Sequence, residues 1–550
     1  MYTTTARPRL GVALALGLCA TVALTAFGFA PAAPARTVRV ILHGQPVAAI
    51  EQAVASVGGR VAQRFSLIQA VAADAPEAAL GALRTFGLTV TIDTPVRTSG
   101  RTGRLDSSGF AEAVGADKLW QAGYAGRDIG VALVDTGIAR HPDLLHAARG
   151  LSRRVVARYD ALDDGSKLLD PYGHGTFTAG IIGNAARTSS GGYAGVAPAA
   201  NLIDVRVMDG SGQGTQTDLI EGIEWVVQHK DEYNIRVMNL SLYASVDSPY
   251  WASPVNQAVE AAHQAGIVVV TVAGNFGDQP MTISVPGNDP YAITVGAYTD
   301  NYTPGDPGDD YIPPFSSVGP TEVGFVKPEV LAPGAHIVST MMDGAAWAKE
   351  HREKRVRAGH YEAAGTSSAA AVTSGVIALL LEAHPDWTPN QVKFHLMATA
   401  KPIDGSSLWR QGAGRIDALA ALHDTAVGEV NAGMTPGTPY VGPTVYMDDE
   451  FTLLNENGTR VMPEGYNWAG GYNWAGGYNW AGGYDWAGGA DWQEWPEGRW
   501  WASGYNWAGG YNWAGGYNWA GGYNWAGGYN WAGGYNWAGG YNWAGVQLLP

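Results

Sequence analysis

"IGVALVD" (Ile129–Asp135) is apolar on both side-chain parities and stops on a carboxylate. A strand with one solvated face alternates apolar and polar residues, so a run without alternation belongs to a strand covered on both faces. Similar runs follow in "ANLIDVRVM" (200–208), "IRVMNLSL" (235–242), "GIVVVTVAG" (266–274) and "AITVGA" (292–297), separated by helical stretches such as "TDLIEGIEWVVQH" (217–229) and "NQAVEAAHQA" (256–265). Buried strands alternating with helices predict an α/β fold with a doubly wound, mostly parallel sheet. In such sheets chemistry gathers beyond the carboxyl ends of the strands, which makes Asp135 the first residue to weigh.

Upstream, "TVRVILHG", "AAIEQAVASVG", "GRVAQRFSLIQAVAA", "PEAALGALRTFG" and "LTVTID" predict a small α+β unit in β-α-β-β-α-β order ending near Val96. "RTSGRTGRLDSSG" (97–109) then lacks apolar periodicity and reads as an exposed, cleavable linker. At the start of the chain, Arg7 and Arg9 precede an uncharged segment from Leu10 to Ala35 that closes on "APAAPA", the layout of a secretory signal peptide. The single cysteine, Cys19, lies inside it, so a cleaved product is held by packing and bound ions rather than by disulfides. A formal charge of −16 (34 Lys and Arg against 50 Asp and Glu) excludes the basic stripe that a nucleic-acid partner calls for.

Three polar positions sit at predicted strand ends or helix starts: Asp135 in "VALVDTGI", His174 in "YGHGTFTAG" and Ser367 in "AAGTSSAAAVTSGV". A serine hydroxyl becomes nucleophilic when an imidazole takes its proton, and the imidazole needs a buried carboxylate to set its tautomer and stabilise its cation. Singly, each residue is equally a turn residue, a helix-start polar group or an N-cap. Together, in the order Asp, His, Ser and flanked by glycines, they point to nucleophilic catalysis.

With "HPDL" (141–144), "GVAP" (195–198), "GSGQ" (210–213), "IEW" (223–225), "VAGN" (272–275) and "KPEVLAPG" (327–334), the stretch from about 117 to 420 resembles the subtilisin-like (subtilase) serine peptidases. The resemblance implies a catalytic set of Asp135, His174, Ser367 and Asn275, the last as side-chain donor to the oxyanion beside the Ser367 backbone N–H. It also implies an extended substrate pairing between Gly210–Gly214 and Ser241–Ala244. The implied substrate-binding residues are Gly210, Ser211, Gly212, Gln213, Ser241, Leu242, Tyr243, Ala273 and Gly274. The N-terminal unit resembles the propeptide of the family, which helps folding, blocks the cleft and is cut away, here within Val96–Ser108. Two departures stand out: Ala371 replaces a proline, and Tyr243 replaces a glycine, narrowing or covering the pocket for the residue before the scissile bond.

The expected organisation is therefore a signal peptide (1–35), a propeptide-like domain (36–105), a peptidase domain (106–422), a linker (423–465) and a repeat array (466–545). No cofactor is needed for the chemistry. The acidic stretches "DALDDGSKLLD" (160–170) and "GDPGDD" (305–310) offer oxygens for structural calcium, although their spacing fits no fixed loop motif and suits solvated loops better. In the array Tyr-Asn/Asp-Trp-Ala-Gly occurs eleven times between Tyr466 and Gly545, with no Leu, Ile, Val, Phe or Met. Such a stretch builds no aliphatic core and reads as aromatic stickers on glycine spacers, suited to polysaccharide or cell-surface contact or to a spacer role. Two functions fit: a secreted endopeptidase acting on proteins or peptides, and an idle subtilase scaffold displaying the array.

Overall fold

The computed structural model describes residues 37–98, 109–145, 154–162, 164–166, 169–188, 191–440, 442–447, 450–454, 460–461, 491–495 and 499–503. The expected signal peptide, most of the Arg- and Ser-rich stretch after 98 and nearly all of the repeat array lie outside these residues.

The N-terminal unit follows the expected order: β1 (Thr37–His43), α1 (Val47–Ser56), β2 (Arg60–Phe65), β3 (Ala70–Pro76), α2 (Leu80–Thr85) and β4 (Thr89–Ile92). Its sheet runs β2-β3-β1-β4, every pair antiparallel. Alternation along β1 divides the side chains: Val40 and Leu42 join a small core with Ile50, Val54 and Leu83, while Ile41 points to the main body. A short strand follows, β5 (Pro95–Thr98). Arg97 and Thr98, read from sequence as linker, are thus paired strand residues, because neighbouring strands of the body satisfy their backbone groups.

The body begins with the short helices α3 (Phe110–Ala113) and α4 (Ala116–Gln121) and then builds a seven-stranded sheet. Its strands are β6 (Gly130–Asp135), β7 (Val155–Asp160), β8 (Asn201–Arg206), β10 (Ile235–Leu240), β12 (Val268–Val272), β13 (Ile293–Tyr298) and β14 (Val330–Pro333), with the short β9 (Gln213–Thr215) and β11 (Leu242–Tyr243) outside it. The order is β14-β13-β12-β10-β6-β8-β7 and all six pairings are parallel. Both faces are covered, as the unbroken apolar runs demand. Val131 and Leu133 of β6 pack with α5 (His174–Gly183) and, further along, α9 (Thr366–Ala383); Ala132 and Val134 pack with α6 (Gln216–Gln228) and α7 (Pro254–Gln264). Helix α9 is long and apolar enough to cross a membrane, but 89% of it is buried inside the body, where Ala371 sits within an unbroken helix. Between β14 and α9 lie β15 (Ile337–Thr340), α8 (Ala346–Glu350), β16 (Arg355–Arg357) and β17 (His360–Ala363), and α10 (Pro389–Thr399) follows α9.

The N-terminal unit docks on α6. Asp93 accepts hydrogen bonds from the Thr217 backbone N–H (3.1 Å) and hydroxyl at the start of that helix. Glu224, on the same helix, accepts the N–H groups of Ser66 (3.0 Å) and Leu67 (3.2 Å), and Phe65, Ala70 and Ala72 add apolar contact. An acidic side chain at a helix start satisfies free N–H groups and meets the positive end of the helix dipole.

Downstream, the stretch read as the start of a linker is partly packed. Val430, Met434 and Tyr440 are buried, the Gly437 N–H bonds Glu260, and the Tyr440 N–H bonds Tyr250 Oη at 3.0 Å. A Pro- and Gly-rich composition signals irregular backbone, not exposure, and here the body supplies the hydrogen-bond partners. Beyond it, β18 (Thr444–Met447), β19 (Glu450–Leu454) and β20 (Arg460–Val461) form a small antiparallel sheet, and β21 (Asp491–Trp495) pairs with β22 (Arg499–Ser503) at the one interruption of the hexapeptide rhythm.

The "KPEVLAPG" segment anchors β14 through buried charge. Lys327 Nζ donates to Asp289 O (2.6 Å), Ala292 O (3.1 Å) and Thr294 Oγ1 (2.9 Å), and it shares the Glu329 carboxylate with Lys393 of α10. All three charged side chains are almost fully buried. Burial pulls the Lys327 ammonium below its ordinary range, and the Glu329 carboxylate beside it opposes that pull and keeps the charge in place. Glu329→Gln strands two buried ammonium groups without their shared carboxylate. A loss of about 3–5 kcal/mol in unfolding free energy is expected, read by denaturant titration.

Candidate active site

Asp135 ends β6, an inner strand of the sheet between β10 and β8, and is fully buried. His174 opens α5, and the two meet because glycines let the backbones approach. A Cβ on Gly175 would stand 2.1 Å from the carbonyl oxygen of Gly137, and one on Gly137, at φ +110°, would stand 1.8 Å from that of Leu169. These are the glycines of "DTG" and "GHG", and no larger residue fits. His174 Nδ1 then lies 2.8 and 2.9 Å from the two carboxylate oxygens of Asp135. A carboxylate there accepts, so Nδ1 carries the proton and Nε2 is the basic nitrogen. Asp135 is further fixed by the Thr136 N–H (2.7 Å) and by the Thr178 hydroxyl (3.3 Å).

One residue of this arrangement was not singled out from sequence. Asp170, placed there in an acidic loop with calcium-like composition, is buried between the segments that carry Asp135 and His174. It accepts the hydroxyl of Thr136 (2.8 Å) and the N–H groups of Gly173 (2.7 Å) and Thr176 (2.8 Å). Burial raises its pKa and these hydrogen bonds pull it back. Its position gave no local signal, because the N-cap of α5 is Gly173 and Asp170 lies three residues before it. The other carboxylates described in the two acidic stretches are partly occupied as well. Arg206 holds Asp160 (2.9 Å) and Asp164 (2.7 Å), and Arg415 holds Asp310. Among the described residues no three His, Cys, Asp or Glu side chains converge on a metal position.

Ser367 is the second residue of α9, where the free N–H groups of the first turn and the positive end of the dipole lie. It is buried, its hydroxyl donates to Ser241 O at 3.2 Å, and it lines one small cavity together with His174. Phe177, Met341, Trp347, Ala363, Ala364 and Ser368 complete that cavity. Asn275 follows β12. Its Oδ1 accepts both the N–H and the hydroxyl of Thr366, each at 3.0 Å. A backbone N–H only donates, so the amide orientation is set and Nδ2 faces the other way, where it has no hydrogen-bond partner although buried. An orphaned buried donor beside the serine is an arrangement that stabilises charge appearing during reaction.

The cleft is also in place. Strands β9 and β11 flank β5, antiparallel on each side, with Val96 opposite Gly214, Arg97 opposite both Gln213 and Tyr243, and Thr98 opposite Leu242. The chain's own residues 95–98 thus fill the slot expected for an extended substrate. Of the expected residues on the first wall, Gln213 belongs to the strand. Gly210, Ser211 and Gly212 form the turn before it, folded around Asp209, which accepts the N–H groups of Ser211 (2.8 Å) and Gln213 (3.1 Å). On the second wall Leu242 and Tyr243 pair with β5, and the hydroxyl of Ser241, just before them, donates to Ser367 O at 3.2 Å. Ala273 and Gly274 lead into Asn275, Ala273 donating to Val295 O (3.0 Å) and Gly274 O accepting the Ser317 N–H (3.0 Å).

A family model described as the subtilase family matches residues 126–415, just over half of the chain. The chain belongs to the subtilase family. These are subtilisin-like serine peptidases, a class of hydrolases. Among subtilase relatives, the serine protease AprX of Bacillus subtilis (strain 168) is 38% identical over 304 residues, 53% of this chain and 66% of that protein, just under two thirds of its length. Subtilisin NAT of Bacillus subtilis subsp. natto is 32% identical over 366 residues, 66% of this chain and 84% of that protein. Among solved structures, fervidolysin from Fervidobacterium pennivorans, described as a keratinolytic enzyme related to subtilisin, superposes with a TM-score of 0.56. That match covers 72% of this chain and 62% of the other at 24% identity, a likeness of fold.

Proposed function

We propose that the protein is a secreted serine endopeptidase, made as a precursor that processes itself. Ser367 attacks the peptide carbonyl while His174 Nε2 takes its proton. Asp135 holds the imidazole and stabilises its cation, and Asn275 Nδ2 with the Ser367 N–H binds the oxyanion. His174 gives that proton to the leaving amine as the C–N bond breaks, and then takes a proton from the water that attacks the acyl-enzyme, passing it back to Ser367 as the acid product leaves. The observation that carries the reading is His174 held on Asp135 through Nδ1 while sharing one cavity with Ser367. A purely structural ion pair has no need of a serine from a helix N-terminus lining the same cavity.

The occupied slot between β9 and β11 supports autoprocessing. A chain segment lying there blocks substrate until it is cut, and the window Val96–Ser108 is where cleavage is expected. The N-terminal unit then acts as a folding aid and inhibitor that leaves, giving kinetic stability to an enzyme without disulfides. No cofactor enters the chemistry. The Tyr- and Trp-rich array takes no part in it either; its rings suit stacking on sugars or on a cell surface, and its role is to place the peptidase.

Covalent modification of Ser367 by a fluorophosphonate, located by peptide mass mapping, tests the reading: a labelled Ser367 upholds it, and an unlabelled processed protein favours the idle scaffold. Asn275→Leu removes the orphan donor while leaving the nucleophile in place. It is expected to lower kcat about 10²–10³-fold with KM nearly unchanged, measured on the processed enzyme.

A further inference from the structure

The side chain that precedes the scissile bond has a defined neighbourhood, given the serine-peptidase reading on which this inference rests. Its carbonyl must lie between Ser367 and Asn275 Nδ2, and its backbone continues the direction of β5 past Leu242 toward Ser241, whose carbonyl touches the Ser367 hydroxyl. The side chain therefore enters between segments 241–244 and 273–275. These walls are joined below: Ala244 and Val285 exchange backbone hydrogen bonds (2.8 and 3.2 Å), and the Ser284 N–H bonds Ala273 O (3.2 Å).

Two rings cross the mouth of this space. The Phe276 ring folds back over Gly274, so that a Cβ on Gly274 would stand 3.0 and 3.1 Å from ring carbons Cδ2 and Cε2. Tyr243 reaches across from the opposite wall, half-buried against the core, and meets Phe276 edge to face, with centroids 4.8 Å apart and planes at 90°. A glycine at 243, expected from the resemblance, would leave one side open; a large apolar ring that is 46% exposed, as Phe276 is, would then have no partner.

We infer that Tyr243 and Phe276 form an aromatic bar across the pocket for the residue before the scissile bond, so that the enzyme accepts Gly, Ala, Ser or Thr there and rejects large apolar side chains. An independent feature of the sequence agrees. The window Val96–Ser108, where the chain is expected to cut itself, has seven Gly, Ser or Thr among its thirteen residues, one Leu and no aromatic residue. A peptidase selecting Phe or Tyr would find no such residue in that window.

The test uses processed enzyme, titrated with a fluorophosphonate, and two internally quenched peptides identical except for Ala or Phe before the cut, with the cut located by mass spectrometry. The wild type is expected to favour Ala by at least about tenfold in kcat/KM. Tyr243→Gly and Phe276→Ala are each expected to lower that ratio by about tenfold or more, while Tyr243→Phe keeps it, since the ring and not the hydroxyl forms the bar. A wild-type ratio near or below one overturns the inference, as does an unchanged ratio in the Tyr243→Gly, Phe276→Ala double variant. Labelled enzyme that cuts neither peptide also overturns it. Absence of both label and turnover sinks instead the peptidase reading, because labelling of Ser367 does not depend on the pocket.

Discussion

Ser367→Ala is expected to leave no measurable peptidase activity and to keep the N-terminal unit attached. The hydroxyl is the only group that can form the acyl intermediate at this position, and where nucleophile and base act as a unit, loss of the nucleophile costs roughly a millionfold in kcat. The fold should survive, because α9 begins with other small residues, "TSSAAA", and alanine is the better helix former. Intact mass of the purified wild type beside the variant reads both consequences at once. A wild type lacking the residues before about 106, beside a variant that retains them, places cleavage in the chain itself. Removal from both would assign processing to another protease, and retention in both would mean either that the peptidase is idle or that the unit is permanent.

Asp135→Asn is expected to lower kcat by about 10⁴-fold while the protein still folds and still binds substrate. The amide has the size of the carboxylate, and its oxygen can still accept from the Thr136 N–H and the Thr178 hydroxyl. What disappears is charge and tautomer control. With Nδ1 between two carboxylate oxygens at 2.8 and 2.9 Å, the proton belongs on Nδ1 and Nε2 is the basic nitrogen. An amide NH₂ turned toward Nδ1 would favour the other tautomer, and the imidazolium formed during attack would lose its counter-charge. The measurement is kcat per fluorophosphonate-titrated site, with a thermal melt as control. A loss below about thirtyfold would mean that Asp135 only positions His174.

Particular residues show what could be read early. Asp135, His174 and Ser367 were legible because each sits in a short string whose composition follows from local geometry: an apolar strand run ending in a carboxylate, or a helix start made of small residues. Asn275 was legible only through the resemblance. Its orphaned Nδ2 depends on Thr366, ninety-one positions away, holding the other end of the amide. Asp170 was misread because a carboxylate in an acidic loop looks the same whether it faces water or three hydrogen-bond donors. The donors that decide come from residues 136, 173 and 176. The segment after 423 was misread for a related reason: composition reports the absence of regular structure, while its burial depends on Glu260 and Tyr250 standing where Gly437 and Tyr440 can reach them.

By itself the sequence determined the alternation of buried strands and helices, the parallel sheet and the three reactive residue types, because period and local backbone demands act over a few neighbouring residues. Only the tertiary structure decided that β5 lies between β9 and β11, that one carboxylate braces the segments carrying Asp135 and His174, and that Tyr243 meets Phe276 edge to face. Those outcomes depend on distances between residues far apart in the chain, which are set when the whole core closes and not by any local stretch.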